Sequence, residues 1–135
     1  MNIGCSTIVY NDATDEILVV SRWEDHTDFG IPGGRLDLFI DNSIADAAKR
    51  EVLEETGIIV DISNLIYSAY DEYGFMSYTF IGKPASFDIK TEESHLVIWT
   101  KDHDIIKNGR YKNYNIPMLE SFKNYLNIQK WIIKK

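Results

Sequence analysis

The sequence predicts an α/β domain in which a mixed β-sheet is covered by helices on its faces. Short runs rich in β-branched and aromatic residues recur along the chain, each bounded by turn residues. One capped segment with helical periodicity interrupts them, and a second closes the chain. The 135 residues suit a single domain spanning 1–135, and a composition 44% hydrophobic and 13% aromatic is enough to build one core.

Cys5–Tyr10 reads as the first strand and Asn11–Asp15 as a turn. Glu16–Trp23 carries Ile17-Leu18-Val19-Val20, the pattern of a buried strand. Phe29–Gly34 is a short extended piece that ends in a loop. Ser43 supplies a helix N-cap, with Asp46 three residues on, and Gly57 supplies the stop, so a helix is predicted over Ile44–Thr56. Strands follow at Ile58–Ile62, Tyr67–Tyr73, Met76–Ile81 and His95–Thr100. After Ile116-Pro117, the spacing of Leu119, Phe122, Tyr125 and Leu126 predicts a C-terminal amphipathic helix.

Charge and composition narrow the function classes. The net charge is −7, and no Lys/Arg cluster marks a duplex-binding face, so double-stranded DNA is not an expected partner. Lys130, Lys134 and Lys135 read as a solvated helix end. No apolar run approaches the roughly 20 residues needed to span a bilayer, and the N-terminus lacks a signal-peptide pattern. A single cysteine, Cys5, requires no oxidising compartment and reads as a small core residue. The expectation is a cytoplasmic protein, monomeric or homodimeric, without membrane partners.

The informative stretch is Arg50–Ile58. Glu54 and Glu55 lie three and four positions beyond Glu51, so the three carboxylates share one helical face. Ile44, Ala47 and Ala48 occupy the same face one and two turns earlier. The face is thus apolar where it docks and acidic where it meets the rim of the core. Like charges at this spacing destabilise a helix, and acidic groups in a last turn oppose the macrodipole. A hard divalent cation would offset both, and oxygen-only donors select Mg²⁺ or Mn²⁺ over zinc. A solvated acidic face would show the same three residues. Pro32-Gly33-Gly34, which lets a backbone approach a ligand closely, favours the metal site.

These residues resemble the signature of the Nudix hydrolase family, MutT-like enzymes with an α/β/α sandwich fold and a mixed β-sheet. The signature reads Gly, five residues, Glu, seven residues, then Arg-Glu-apolar-x-Glu-Glu-x-Gly-apolar; Arg50–Ile58 matches its second half at every defined position. Ser43, Ala47, Ala48 and the Phe29–Gly34 segment also fit. Two departures stand out. Counted from Gly34, the loop before Arg50 is two residues longer than the pattern, and the family's first Glu falls on Asn42. Asn42 can hydrogen-bond Arg50 but not as an ion pair, and Asp37 or Asp41 could substitute.

The resemblance implies metal ligands at Glu54, Glu55 and the Gly33 carbonyl, with Glu51 as a further ligand or the general base; Arg50 would orient the carboxylates. Glu93 in the loop before Trp99 would be one more ligand, with Glu92 in reserve. Arg22 matches a position of phosphate contact, although a surface arginine is the plainer reading. His26 and His95 lack partners at zinc-ligand spacing and read as structural. Among Tyr67, Tyr70, Tyr73, Phe75 and Tyr78, most would pack and one could stack on a base.

The implied activity is Mg²⁺-dependent hydrolysis, with Mn²⁺ as an alternative ion, of a phosphoanhydride bond in a nucleoside diphosphate linked to X, releasing a nucleoside monophosphate. Nucleoside triphosphates, dinucleoside polyphosphates and capped RNA ends are all candidate substrates. The competing readings are a GDP-sugar hydrolase and a catalytically silent nucleotide-binding module, the latter resting on the Glu replaced by Asn42.

Overall fold

The computed structural model describes residues 2–90 and 95–134, with the side chains of residues 133 and 134 left aside. The strands are β1 (Ile3–Asn11), β2 (Glu16–Ser21), β3 (Phe29–Gly30), β4 (Gly33–Arg35), β5 (Val60–Tyr70), β6 (Met76–Pro84) and β7 (Val97–Thr100). Helix α1 is Ile44–Thr56, a 3₁₀ turn spans His103–Lys107, and α2 is Lys112–Lys134. The main sheet order is β3-β2-β1-β6-β5, with β4 also on β1 and β7 also on β2. The β1–β6 pair is parallel and the other pairs are antiparallel.

Strands β1 and β2 pair only where they meet, at Tyr10–Ile17 and Asn11–Glu16. Away from that turn, β4 lies along Gly4–Ser6 of β1 and β3 lies along Val20–Ser21 of β2. The Phe29–Arg35 segment therefore fills the fork between them, pinned by the Thr7 N–H to the Pro32 carbonyl at 3.1 Å.

Alternation along the central strands sorts the core into two faces. Val9 and Leu18 meet Val52, Ile58 and Val60, while Cys5 meets Ala47 and Ala48; this is the α1 side. Ile8, Ile17 and Val19 point the other way and pack with Met118, Leu119 and Phe122 of α2. The result is the α/β/α sandwich expected from the sequence. Phe122 is fully buried, and truncating it to Ala would cost about 3–5 kcal/mol.

Three elements differ from the sequence-based expectation. The expected strands Ile58–Ile62 and Tyr67–Tyr73 are one strand, β5, which passes through two register shifts near Ser63 and Ile66. The bulges absorb the loss of alternation that reads as a break in the sequence. Helix α2 begins before Pro117 rather than after it. Its first turn is anchored from outside: the Tyr114 hydroxyl meets Thr79 Oγ1 at 2.7 Å, and Asn115 Nδ2 donates to the Ile106 carbonyl at 3.1 Å. Those contacts hold a turn that proline would otherwise disfavour. His95 precedes β7 instead of starting it. Among the described residues no helix is long and apolar enough to cross a membrane.

Candidate active site

Helix α1 brings the carboxylates to the sheet's rim. The Ser43 side chain accepts the Asp46 N–H at 3.0 Å, and Gly57, at φ 76°, donates its N–H to the Leu53 carbonyl at 2.9 Å. These caps fix both ends, as its sequence predicts. Ala47, Ala48 and Val52 are fully buried, which leaves Glu51 and Glu55 against the edge of β4 and Glu54 more exposed beside Arg50. His95 is buried and its Nε2 meets the Glu55 carbonyl at 2.9 Å, a structural role at the helix end.

The register of β4 explains why its glycines matter. Hydrogen bonds from Thr7 N–H to Pro32 and from Leu36 N–H to Ile3 set the ladder phase, so Cys5–Gly34 is the bonded pair between them. Gly33 and Arg35 consequently direct their N–H and C=O groups off the other edge, toward α1. The Gly33 N–H donates to Glu55 Oε1 at 2.9 Å, and the Arg35 carbonyl accepts Arg50 Nη2 at 3.1 Å. The Gly33 carbonyl lies on this same edge by the same parity. At Gly34 a Cβ would collide with the Glu51 carboxylate, so glycine is what lets the two approach.

Arg50 organises the carboxylates. Its Nε and Nη2 donate to Asp41 at 2.8 and 2.9 Å, a two-pronged ion pair, and its Nη1 donates to Glu51 at 3.0 Å and Glu54 at 3.2 Å. The residue facing Arg50 is therefore Asp41. No hydrogen bond joins Asn42 to Arg50 among the described residues, which corrects the alignment that set Asn42 there. The lengthened loop carries an acid into place one residue earlier.

The electrostatics follow from these contacts. The Asp41 side chain is 3% exposed, and burial alone would raise its pKa, but hydrogen bonding to Arg50 outweighs that. The Arg50 hydrogen bonds hold its carboxyl below the usual range. Glu51 goes the other way: burial raises its pKa, Arg50 lowers it and Glu54 raises it further. A carboxylate that is covered while still crowded by another acid is one that an added cation would relieve.

The donors here are oxygens only, which fits Mg²⁺ or Mn²⁺. Among the described residues no three acidic, His or Cys side chains already converge as a metal cage; Arg50 instead draws Glu51 and Glu54 to itself. Glu93 and its reserve Glu92 lie outside the described residues.

Beside β4 opens a cleft of about 260 Å³. Ile31, Phe75, Tyr111 and Tyr114 form its apolar walls, and Asp71, Ser77 and Asn115 its polar ones. Arg35 lies over the Phe75 ring at 4.8 Å, and Tyr73 meets Tyr111 edge-on at 5.3 Å. Of the aromatic group singled out in the sequence, Phe75 lines this cleft. Asp71, Tyr111, Tyr114 and Asn115 carry no local sequence signal and are found only in three dimensions. Arg22 stands outside the cleft lining, its guanidinium held by Glu24 at 2.8 Å, although its charge acts on Tyr111. Cys5 is buried, and its thiol is pushed up to about 12 by burial, so it is no nucleophile.

Fold and site together define an enzyme class, and comparison with known proteins names it. The NUDIX domain family model matches residues 2–116. The chain belongs to the Nudix hydrolase family. A Nudix hydrolase from Nitrosomonas europaea is similar at 25% identity and TM-score 0.72, over 91% of this chain and 88% of that one. An ADP-ribose pyrophosphatase from Streptococcus suis aligns at 15% identity and TM-score 0.72, over 92% of this chain and 91% of that one. One chain from a structural study of MutT from Aliivibrio salmonicida and Vibrio cholerae aligns at 21% identity and TM-score 0.68, over 88% of this chain and 92% of that one. The latter two likenesses are of fold alone. Comparison with curated protein sequences found no match.

Proposed function

We propose that the chain hydrolyses a phosphoanhydride bond in a nucleoside diphosphate linked to X, releasing a nucleoside monophosphate, with Mg²⁺ as cofactor and Mn²⁺ able to replace it. The observation that carries this reading is the carboxylate face of α1, with Glu51 and Glu55 set against β4 and Glu54 beside them on Arg50. Glu54, Glu55, the Gly33 carbonyl and Glu93 would hold the ion, with Glu51 as a further ligand or the general base. When bound, the ion would neutralise the diphosphate and lower the pKa of water.

The chain's own residues do the rest. As the general base, Glu51, whose pKa is raised by burial, would accept the proton of the attacking water. Water adds its oxygen to one phosphorus, and the bridging oxygen leaves with the other phosphate. Arg50, fixed by Asp41, positions Glu51 and Glu54. Arg35 and, further out, Arg22 would offset phosphate charge, and the aromatic cleft would take the nucleobase.

The silent-module reading rested on a missing acid opposite Arg50, and Asp41 supplies that acid. Incubation with a panel of nucleoside triphosphates, dinucleoside polyphosphates and nucleotide sugars, with and without Mg²⁺, tests the proposal. Mg²⁺-dependent appearance of a nucleoside monophosphate is expected. A protein that binds these compounds but cleaves none would overturn it.

A further inference from the structure

The first turn of α2 is short of a bond of its own. Pro117 has no N–H, so the Asn113 carbonyl, one turn back, goes without its helical donor. That turn nevertheless carries Tyr114 and Asn115 of the aromatic cleft, and Tyr111 directly precedes it. One wall of the cleft therefore stands on a turn held from outside. Three contacts hold it: the Asn113 N–H donates to Glu72 Oε2 at 3.1 Å, Asn115 Nδ2 donates to the Ile106 carbonyl at 3.1 Å, and the Tyr114 hydroxyl meets Thr79 Oγ1 at 2.7 Å. Of the three outside partners, only Thr79 belongs to the sheet.

Thr79 is fully buried in β6, with Ser6 of β1 opposite it on one side and Tyr67 of β5 on the other. Its Oγ1 also lies 2.8 Å from Ser6 Oγ, so it is the middle of a chain of three hydroxyls that runs from β1 to α2. A threonine there can donate to one neighbour and accept from the other, whereas a valine of the same shape does neither. The two neighbours differ in what replaces the bond. Ser6 is partly exposed and borders the cleft, so water can serve it. Tyr114 is 6% exposed, with the Tyr67 ring edge-on at 5.2 Å, and its hydroxyl reaches water only if the ring moves.

We propose that Thr79, which does not line the cleft itself, is a positioning residue for substrate binding: it holds Tyr114, and with it the α2 wall, in the place that receives a nucleobase. This rests on the reading of the aromatic cleft as the base site. Deprived of Thr79 Oγ1, the Tyr114 hydroxyl regains a partner by turning toward the water of the cleft, and the wall moves with it. Nucleotide binding must reverse that move, so the lost bond is felt as weaker binding. Helix α1 packs on the opposite face of the sheet and its carboxylates do not depend on this tie, so turnover of bound substrate is unaffected.

The test pairs titration calorimetry of AMP, GMP, CMP and UMP in a chelator with steady-state kinetics in Mg²⁺ on the best substrate of the panel. Wild type is compared with Thr79→Val, Thr79→Ser and the double variant Thr79→Val/Tyr114→Phe, each verified by a circular dichroism melt. Thr79→Val should weaken the best monophosphate about tenfold and raise KM alike with kcat unchanged, the scale of one stranded buried hydroxyl. Thr79→Ala deletes the same hydroxyl and should do likewise if the valine variant does not fold. Thr79→Ser keeps the hydroxyl and should match wild type. The double variant strands nothing and should regain most of the loss. A lower Tm with Kd and KM unchanged makes the tie merely structural and overturns the proposal. So does a fall in kcat at constant KM, a double variant as weak as Thr79→Val, or a wild type that binds no monophosphate. A wild type that binds monophosphates but cleaves nothing removes the hydrolase reading, while the same ranking of Kd values upholds the role of Thr79.

Discussion

Replacing Asp41 with Asn probes the contact that organises the site. The substitution keeps size and hydrogen-bonding capacity but removes a charge that accepts two donors of Arg50, at 2.8 and 2.9 Å, and the Asp37 N–H at 2.8 Å. Breaking a fully buried pair costs about 3–5 kcal/mol when the partner is stranded. Arg50 is not stranded, since Glu51, Glu54 and the Arg35 carbonyl still accept from it and its side chain is 22% exposed. The expected loss is therefore nearer 2 kcal/mol, the scale of a charge-assisted hydrogen bond, or roughly 7 °C in Tm for a chain of this length. The Asp41 pKa is lowered in the fold, so this contribution is present above the ordinary carboxylate range and fades as pH falls through the folded value. The variant should accordingly lose its deficit relative to wild type in acid. Freed from Asp41, Arg50 competes harder for Glu51 and Glu54, and kcat should drop about tenfold, the range a misplaced positioning group gives. Thermal melts at several pH values and steady-state kinetics at saturating Mg²⁺ measure both effects. Asn42→Glu serves as the control and should change little. A wild-type Tm and kcat for Asp41→Asn, or a large gain from Asn42→Glu, would refute the role given to Asp41.

Two further outcomes follow from the same geometry. Glu51 has a raised pKa, so its stabilising contribution falls as pH rises through that value; Glu51→Gln should raise Tm slightly in a chelator near neutral pH and blunt the Mg²⁺-induced rise. A lower Tm in the chelator would show that the carboxylate is structural. Gly34→Ala pushes a methyl group into the Glu51 carboxylate, and should reduce kcat by an order of magnitude or more with the fold retained; kinetics equal to wild type would place Glu51 elsewhere during turnover.

What the sequence revealed, and what it hid, follows the distance over which each feature is determined. Helix α1 is written locally: the Ser43 cap, the Ala47-Ala48 docking stripe and the Gly57 stop all lie within one segment, and the structure bears them out. The shared face of Glu51, Glu54 and Glu55 is a consequence of helical spacing. The continuity of β5 through Ser63 and Asn64 was hidden, because a bulge is defined by its partner β6 rather than by its own residues. The start of α2 was hidden by Pro117, whose cost is met by Thr79 and Ile106, distant in sequence. Counting residues aligns Asn42 with Arg50 and leaves Asp37 or Asp41 as substitutes; the turn closed by Asp37 selects Asp41. The cleft walls at Asp71, Tyr111 and Asn115 come from the turn after β5 and from the start of α2, and exist only once the sheet and α2 are assembled.

The central claim is that Glu54 and Glu55 act as one unit in holding the ion that serves the reaction. The most direct measurement is kcat for Glu54→Gln, Glu55→Gln and the double variant, at saturating Mg²⁺ on the best substrate of the panel, with folding verified for each. Each single change should lower kcat by about two orders of magnitude or more, and the double variant should be little worse than the poorer single one, because groups that act together lose their effect together. Near-wild-type kcat in both single variants would contradict the account and leave a Nudix fold whose carboxylate helix does no chemistry.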